Sequence, residues 1–284
     1  MSEDGHPAGT SDKPSALGGV ARLAARDFAS DSGRPGLDAM PGGRGAALWS
    51  ASSRFAIYYA PSEDSLWWRA GCHWLGRDPQ TGETFEPPVV AELAARGLDV
   101  AGLSRAPRRY GWHGTLVAPA RCAANVTPDD VLHEALEWGR QQKCFELPVE
   151  VASLGRFVAL RPQDADGAAA MAAIAADALR TLMPLRAMAT EQERQRRLEA
   201  DLTARQRKLL ERWGYPYVLD EFRFHMTLSD SIADASQRDI VLDWWREQAP
   251  TLGPLAVDGA ALFVEPEPGA PFALWARLPF GSQR

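Results

Sequence analysis

His113-Gly114-Thr115-Leu116 and His225-Met226-Thr227-Leu228 are the two stretches whose reading decides the fold. They stand 112 residues apart, and each reads His, any residue, Thr, Leu. Both read as strand. Side chains at i and i+2 of a strand share a face, so each His points with its Thr, and each Leu turns the other way, toward a core. Two such strands side by side gather two imidazoles and two hydroxyls about one cleft. That is a metal-free acid–base site with donors for an anionic group.

Outward from the motifs, the pattern repeats. Each half has a leading strand, helices, the His-x-Thr-Leu strand, a capped helix and a strand opening Leu-x-Val: Leu147-Pro148-Val149 in the first half, Leu255-Ala256-Val257 in the second. The repeat halves run about 54–153 and 154–280, and duplication predicts a pseudo-two-fold axis with the site on it. Strands are expected over Phe55–Tyr59, Trp112–Val117, Phe145–Val151, Arg156–Leu160, Phe222–Leu228, Leu255–Val264 and Pro271–Pro279. Arg105–Gly111 reads as a basic loop. Ser65–Trp74, with three tryptophans, reads as a short helix, and Val89–Arg96 as another closed by Gly97. Thr127-Pro128-Asp129-Asp130 is a helix start, with a cap, a proline at the first position and acids in the first turn. Asp164–Leu182 reads as an Ala-rich helix, Glu191–Trp213 as a charged helical stretch split near Thr203, and Ser236 to about Gln248 as a further helix. Residues 1–53 are rich in Gly, Ser, Pro, Asp and Ala and hold no hydrophobic period, which predicts a disordered extension.

The 284-residue chain is long enough for one large domain or two compact lobes. Its net charge of −6 and pI near 5.5 lack the basic footprint of a general nucleic-acid binder, which favours a small phosphorylated metabolite over long nucleic acid. Three unpatterned cysteines make neither a disulfide framework nor a zinc site, and fit a reducing, cytoplasmic setting. The longest apolar run, Ala168–Ala176, is about half of a membrane span, and no secretory signal is visible. The sequence leaves the oligomeric state open.

The paired motifs, together with Arg54-Phe55-Ala56-Ile57-Tyr58-Tyr59-Ala60-Pro61, Tyr110-Gly111-Trp112 before the first histidine and Arg212-Trp213-Gly214-Tyr215-Pro216-Tyr217-Val218-Leu219-Asp220-Glu221-Phe222-Arg223-Phe224 before the second, resemble the 2H phosphoesterase superfamily. They are most similar to a branch whose genes are often found with phosphonate-utilisation operons. The resemblance covers about Arg54–Phe280. It implies an α+β, bilobal fold of two pseudo-symmetric lobes, each with an antiparallel sheet flanked by helices, and a cleft between them. It also implies hydrolysis or transfer at a phosphodiester, often a cyclic one, without metal or other cofactor.

The residues suit that chemistry. Histidine serves as base or acid near neutral pH, so His113 and His225 are the candidate proton carriers, with the roles of acid and base left open. Thr115 and Thr227 are candidate donors to the non-bridging oxygens. Arg223, two residues before His225, and Arg108 and Arg109, in the basic segment before His113, are candidate phosphate cations. Tyr110 and Tyr217 are candidate contacts to a sugar or base. The alternatives are a non-catalytic module for a phosphorylated ligand and an RNA-end-processing enzyme of the same class.

Overall fold

A computed structural model describes residues 49–86 and 90–281. The segment expected to be disordered, 1–53, therefore lies outside the described residues up to position 48. Its last five residues are ordered. The Trp49 ring packs edge-on against Trp275 at 5.1 Å and tilted on Phe55 at 6.3 Å, and the Ser53 hydroxyl donates to the Pro266 carbonyl at 2.8 Å.

Nine strands and nine α-helices follow among the described residues. The strands are β1 (Arg54–Tyr59), β2 (Gly114–Ala120), β3 (Phe145–Leu147), β4 (Val149–Leu154), β5 (Phe157–Pro162), β6 (Met226–Thr227), β7 (Leu255–Val257), β8 (Gly259–Glu265) and β9 (Ala273–Pro279). The helices are α1 (Leu66–Leu75), α2 (Val90–Ala94), α3 (Val100–Leu103), α4 (Arg105–Tyr110), α5 (Pro128–Gln141), α6 (Ala165–Leu182), α7 (Glu191–Leu198), α8 (Ala204–Trp213) and α9 (Ala235–Gln248). The molecule is α+β, and every named strand pairing is antiparallel.

Seven strands form one sheet in the order β4-β5-β6-β2-β1-β8-β9, and β3 pairs with β7 in a second, two-stranded sheet. The expectation of a separate sheet in each half is corrected here: the strands are hydrogen-bonded into one continuous sheet, joined at the centre by the pair Gly114↔Met226. Apart from the edge strand β9, the order is palindromic about that seam. β2 mirrors β6, β1 mirrors β5 and β8 mirrors β4, while β3 and β7, the mirror pair left over, pair with each other. Strands are also exchanged between the halves, since β4 pairs with β5 and β8 with β1.

Local chemistry explains the other departures. The second motif strand is only Met226–Thr227, because Leu219–Glu221 forms a 3-10 turn and the Arg223 carbonyl is taken by the His225 ring. Arg105–Tyr110 is a helix, not a loop, closed by Gly111 at φ 80°. β2 runs through Pro119 because the strand bulges against β1: the register jumps between Phe55↔Ala120 and Ile57↔Val117. A proline that cannot donate to the ladder is tolerated at such a bulge. Pro148 divides the expected strand 145–151 into β3 and β4. The helix starts follow the sequence more closely, with capping boxes at Thr127, at Thr190, and at Thr203, where the charged stretch divides into α7 and α8.

The core sits between the sheet and its helices. Trp74 of α1 stacks on Trp244 at 5.2 Å, Trp112 stacks on Trp245 at 6.1 Å, and all four rings are buried. Trp74 Nε1 donates to the Leu228 carbonyl at 2.6 Å, which ties this aromatic cluster to the second motif. The segment Ala165–Leu185 is long and apolar enough to cross a membrane by length and composition alone. In the fold it covers β2 and β5 and buries Met171, Ala178, Leu179 and Leu182, as a core helix does.

Candidate active site

The seam of the sheet assembles the two motifs. Gly114 stands opposite Met226, so one step to either side an antiparallel pairing sets His113 facing Thr227 and Thr115 facing His225. The four side chains make a checkerboard on one face, while Leu116, Met226 and Leu228 are buried on the other. Gly114 is required at this close approach. A Cβ there would lie 2.4 Å from the Phe224 ring and 3.3 Å from the His225 carbonyl oxygen.

Both imidazoles are held the same way. His113 Nδ1 lies 2.9 Å from the Gly111 carbonyl, and His225 Nδ1 lies 2.9 Å from the Arg223 carbonyl, in each case two residues back. A carbonyl only accepts, so Nδ1 donates in both rings and Nε2 is left to face outward. His113 Nε2 is 3.3 Å from the Thr115 hydroxyl. The His113 ring is flanked by Tyr58 at 4.1 Å and Tyr110 at 5.8 Å. Burial pushes its pKa down to about 4. The Gly111 hydrogen bond pulls the other way, and the neighbouring His225 charge adds to the depression. At neutral pH His113 is uncharged, its Nε2 carries a lone pair, and the Thr115 hydroxyl donates to it.

An open cavity of about 440 Å³ lies over this face. His113, Thr115, Thr227 and Tyr110 line it. His225 stands at its edge, with its ring 5.7 Å from that of the lining residue Phe157. The other sequence candidates lie elsewhere. Arg223 is exposed and donates to the carbonyls of Asp220 and Phe222 at 2.8 and 2.6 Å. Its expected place on the motif's strand face is corrected, because the strand does not extend back to it. Arg108 donates to the Leu75 carbonyl and the Ser104 hydroxyl. Arg109 pairs with Glu265 and donates to the Gly269 and Ala270 carbonyls. Tyr217 is exposed and off the cavity, and Tyr215, packed edge-on against it at 5.6 Å, lines the wall instead.

Two lining cations were not among the sequence candidates. Arg54 opens β1, and strand alternation sets it on the same face as Tyr58. That alternation was the available signal. Arg197 comes from α7, where seven of eight residues are charged or amide and a cavity-facing arginine cannot be told from its solvated neighbours. Behind Arg54 lies Glu265, with a fully buried side chain paired to both Arg54 and Arg109 and accepting the Gly269 N–H at 3.0 Å. Burial opposes its charge, but the Arg54 and Gly269 hydrogen bonds prevail and hold the carboxyl below the usual carboxylate range. Burial also keeps the Tyr58 and Tyr215 phenols protonated, as donors.

Similarity to known proteins converges on one family. A protein of Janthinobacterium sp. (strain Marseille) called ribose 1,5-bisphosphate phosphokinase PhnN is 38% identical over 241 residues, which cover 81% of this chain and 51% of that protein. A protein of the same name from Laribacter hongkongensis (strain HLHK9) is 37% identical over 223 residues, covering 78% of this chain and 50% of that protein. The chain thus spans about half the length of the curated relatives it matches. Residues 115–273, which contain the whole second motif and Thr115-Leu116 of the first, match one family along their length, and the chain belongs to it: the family described as "Protein of unknown function (DUF1045)".

Proposed function

We propose that the protein is a metal-independent phosphoesterase of the two-histidine kind, acting on a small, cyclic phosphodiester of a ribosyl compound in phosphonate metabolism. The observation that carries the reading is the repeated lock. Two histidines, each just before one of two neighbouring strands, donate Nδ1 to the carbonyl two residues back, and each has a threonine facing it across the seam. The mirrored order of six of the seven strands supports reading the sheet as two pseudo-symmetric lobes meeting at the site, as in 2H phosphoesterases. The ribosyl part rests on the relatives' name and on the operon association of the resembled branch. A cytoplasmic location fits such a metabolite.

In this mechanism His113, neutral at pH 7, takes a proton from the attacking water as its oxygen bonds to phosphorus. His225 gives a proton to the leaving sugar oxygen as the P–O bond breaks. The product is a phosphomonoester with a free hydroxyl, and one proton passed from His113 to His225 through solvent resets the pair. With substrate bound, the Thr115 hydroxyl turns from His113 Nε2, which frees that lone pair for the water, and donates with Thr227 to the non-bridging oxygens, where negative charge grows. Acid–base assistance of this kind is worth about 10² to 10⁴-fold in rate.

The test is turnover of 2′,3′-cyclic nucleotides and ribosyl cyclic phosphates with chelator present. His113→Ala and His225→Ala should each lower kcat by at least about 100-fold while the circular dichroism spectrum is unchanged. Full activity in either variant would remove this site from the reaction.

The relatives' name raises a second reading, phosphoryl transfer from a nucleotide to a ribose phosphate. We assign that activity to the part of those longer proteins that this chain does not span. A phosphate-cradling G-x-x-x-x-G-K-[ST] loop is the usual device for it, and no such motif occurs in this sequence. Release of nucleoside diphosphate from triphosphate by the purified chain would reverse the assignment.

A further inference from the structure

The acid–base face occupies only part of the cavity, and what lies beside it is cationic. Arg54 and Arg197 both line the same space as His113 and Thr227. Neither has a carboxylate to itself: Glu193, which acts on Arg197, pairs with Arg121. Glu265 is shared between Arg54 and Arg109, so one carboxylate answers two guanidinium groups. Arg54 uses Nε for that pair, and among the described residues its two terminal nitrogens have no partner. Arg197 donates one terminal nitrogen to the Gly214 carbonyl, lies 5.6 Å from the Tyr215 ring, and has no ion-pair partner among the described residues. Burial lowers its pKa, the nearby Glu193 carboxylate and the Tyr215 phenol pull it back up, and the Arg54 charge lowers it again. Asp230 is the acid on the cavity wall among the described residues, and its carboxylate accepts the Ala106 N–H at 3.1 Å.

The placement relative to the histidines is defined by a chain of rings. The His113 ring is 4.1 Å from that of Tyr58, the Tyr58 ring 6.0 Å from that of Phe272, and the Arg54 guanidinium 6.0 Å from Phe272. Along β1, Arg54 and Tyr58 are four residues apart, roughly 13 Å between Cα atoms. The Arg54 guanidinium therefore stands away from the histidine face, and Arg197, which lines the same cavity, feels the Arg54 charge. A cavity of about 440 Å³ is larger than a bare cyclic phosphate needs and lies within the ordinary range for a small metabolite.

We infer that Arg54 and Arg197 form a second anion subsite, and that the substrate is a sugar cyclic phosphodiester that also carries a terminal phosphate monoester. The inference rests on the two-histidine reading for the cyclic group, but the subsite itself stands on the two guanidinium groups. Guanidinium forks suit a phosphate dianion, the protonated Tyr58 and Tyr215 hydroxyls add neutral donors, and the terminal phosphate fixes which ester oxygen meets His225. The reaction that supplies such a substrate must leave a phosphorylated sugar with a closed phosphodiester. The reaction that consumes the product must accept a sugar bisphosphate.

Two measurements test this separately from catalysis. Calorimetric binding of ribose 5-phosphate and of ribose is compared in the wild-type chain, Arg197→Gln, Arg54→Lys and His113→Ala. The wild type should bind ribose 5-phosphate well above ribose. Arg197→Gln should weaken that binding roughly 10- to 100-fold, the loss of a hydrogen bond to a charged group, and His113→Ala should leave it in place. Arg54→Lys keeps a charge beside buried Glu265, so a smaller loss there excludes collapse of the fold as the cause. In the turnover arm, adenosine 2′,3′-cyclic phosphate is compared with its 5′-phosphorylated form. The phosphorylated substrate should have the higher kcat/KM, and Arg197→Gln should collapse the ratio. Equal binding of ribose and ribose 5-phosphate, or an undiminished affinity in Arg197→Gln, would overturn the subsite even if cyclic phosphates are cleaved. Intact phosphate-dependent binding without any turnover would uphold the subsite and remove the catalytic reading.

Discussion

At the scale of single residues, His113 couples chemistry to stability. Its folded pKa is pushed down to about 4 against an unfolded value near 6.5. Between those values the unfolded chain holds a proton that the folded one does not, so stability is full above about pH 6.5 and falls as the pH drops toward 4. The shift corresponds to about 3 kcal/mol at most. Urea unfolding of His113→Gln, which removes the titration, should show a stability that gains on wild type by up to that amount between pH 7 and pH 4.5. A constant difference across that interval would mean the ring is not desolvated. Glu265 makes the opposite case. It is a buried carboxylate held by two arginines, and Glu265→Gln leaves both short of a counter-charge. The expected cost is about 3 kcal/mol or more, read as a lowered urea midpoint with an unchanged slope. Arg109 matters here as a partner of Glu265 rather than as a phosphate ligand.

At the scale of elements, the seam is the sensitive place. Gly114 gives β2 the close approach that lets β6 sit against it, and Gly114→Ala drives a methyl into the buried Phe224 ring and toward the His225 backbone. Overpacking of this kind costs about 1–3 kcal/mol. Because it displaces the second motif, kcat should fall further than the loss of folded protein explains, as comparison of active-site titration with kcat would show. Helix α7 offers a gentler probe. Its capping box, Thr190 with Glu193, fixes the first turn of the helix that carries Arg197. Thr190→Ala should cost about 1 kcal/mol of stability and weaken ribose 5-phosphate binding without changing the pH profile. Unaltered binding would show that Arg197 holds its place independently of the cap.

At the scale of the whole molecule, the exchange of strands makes the halves interdependent. β4 completes the sheet beside β5, β8 completes it beside β1, and β3 meets β7 across the axis. Fragments 49–154 and 155–281 each lack those partners and present long unpaired edges. Neither should give dispersed amide resonances alone, and co-expressed they should associate. A fragment that folds by itself would show that the halves are independent lobes after all. The doubled motif and the repeated Leu-x-Val openings were legible in the sequence. The continuity of the sheet was not legible there, because register between distant strands is set by packing and not by local pattern.

The sequence by itself determined the local parts of this protein: the α+β class, the helix start at Thr127, the division of the charged stretch near Thr203, and the two His-Thr pairs, since these depend on neighbours one to four residues away. Only the tertiary structure decided what fills the rest of the cavity. Arg54 and Arg197 come from elements far apart in the chain, whereas Arg223, Arg109 and Tyr217, closer to the histidines in sequence, are directed elsewhere. Proximity along the chain fixes a side chain's face only while a strand lasts, and the second motif's strand is two residues long. Beyond that, long-range packing chooses which charges meet the ligand.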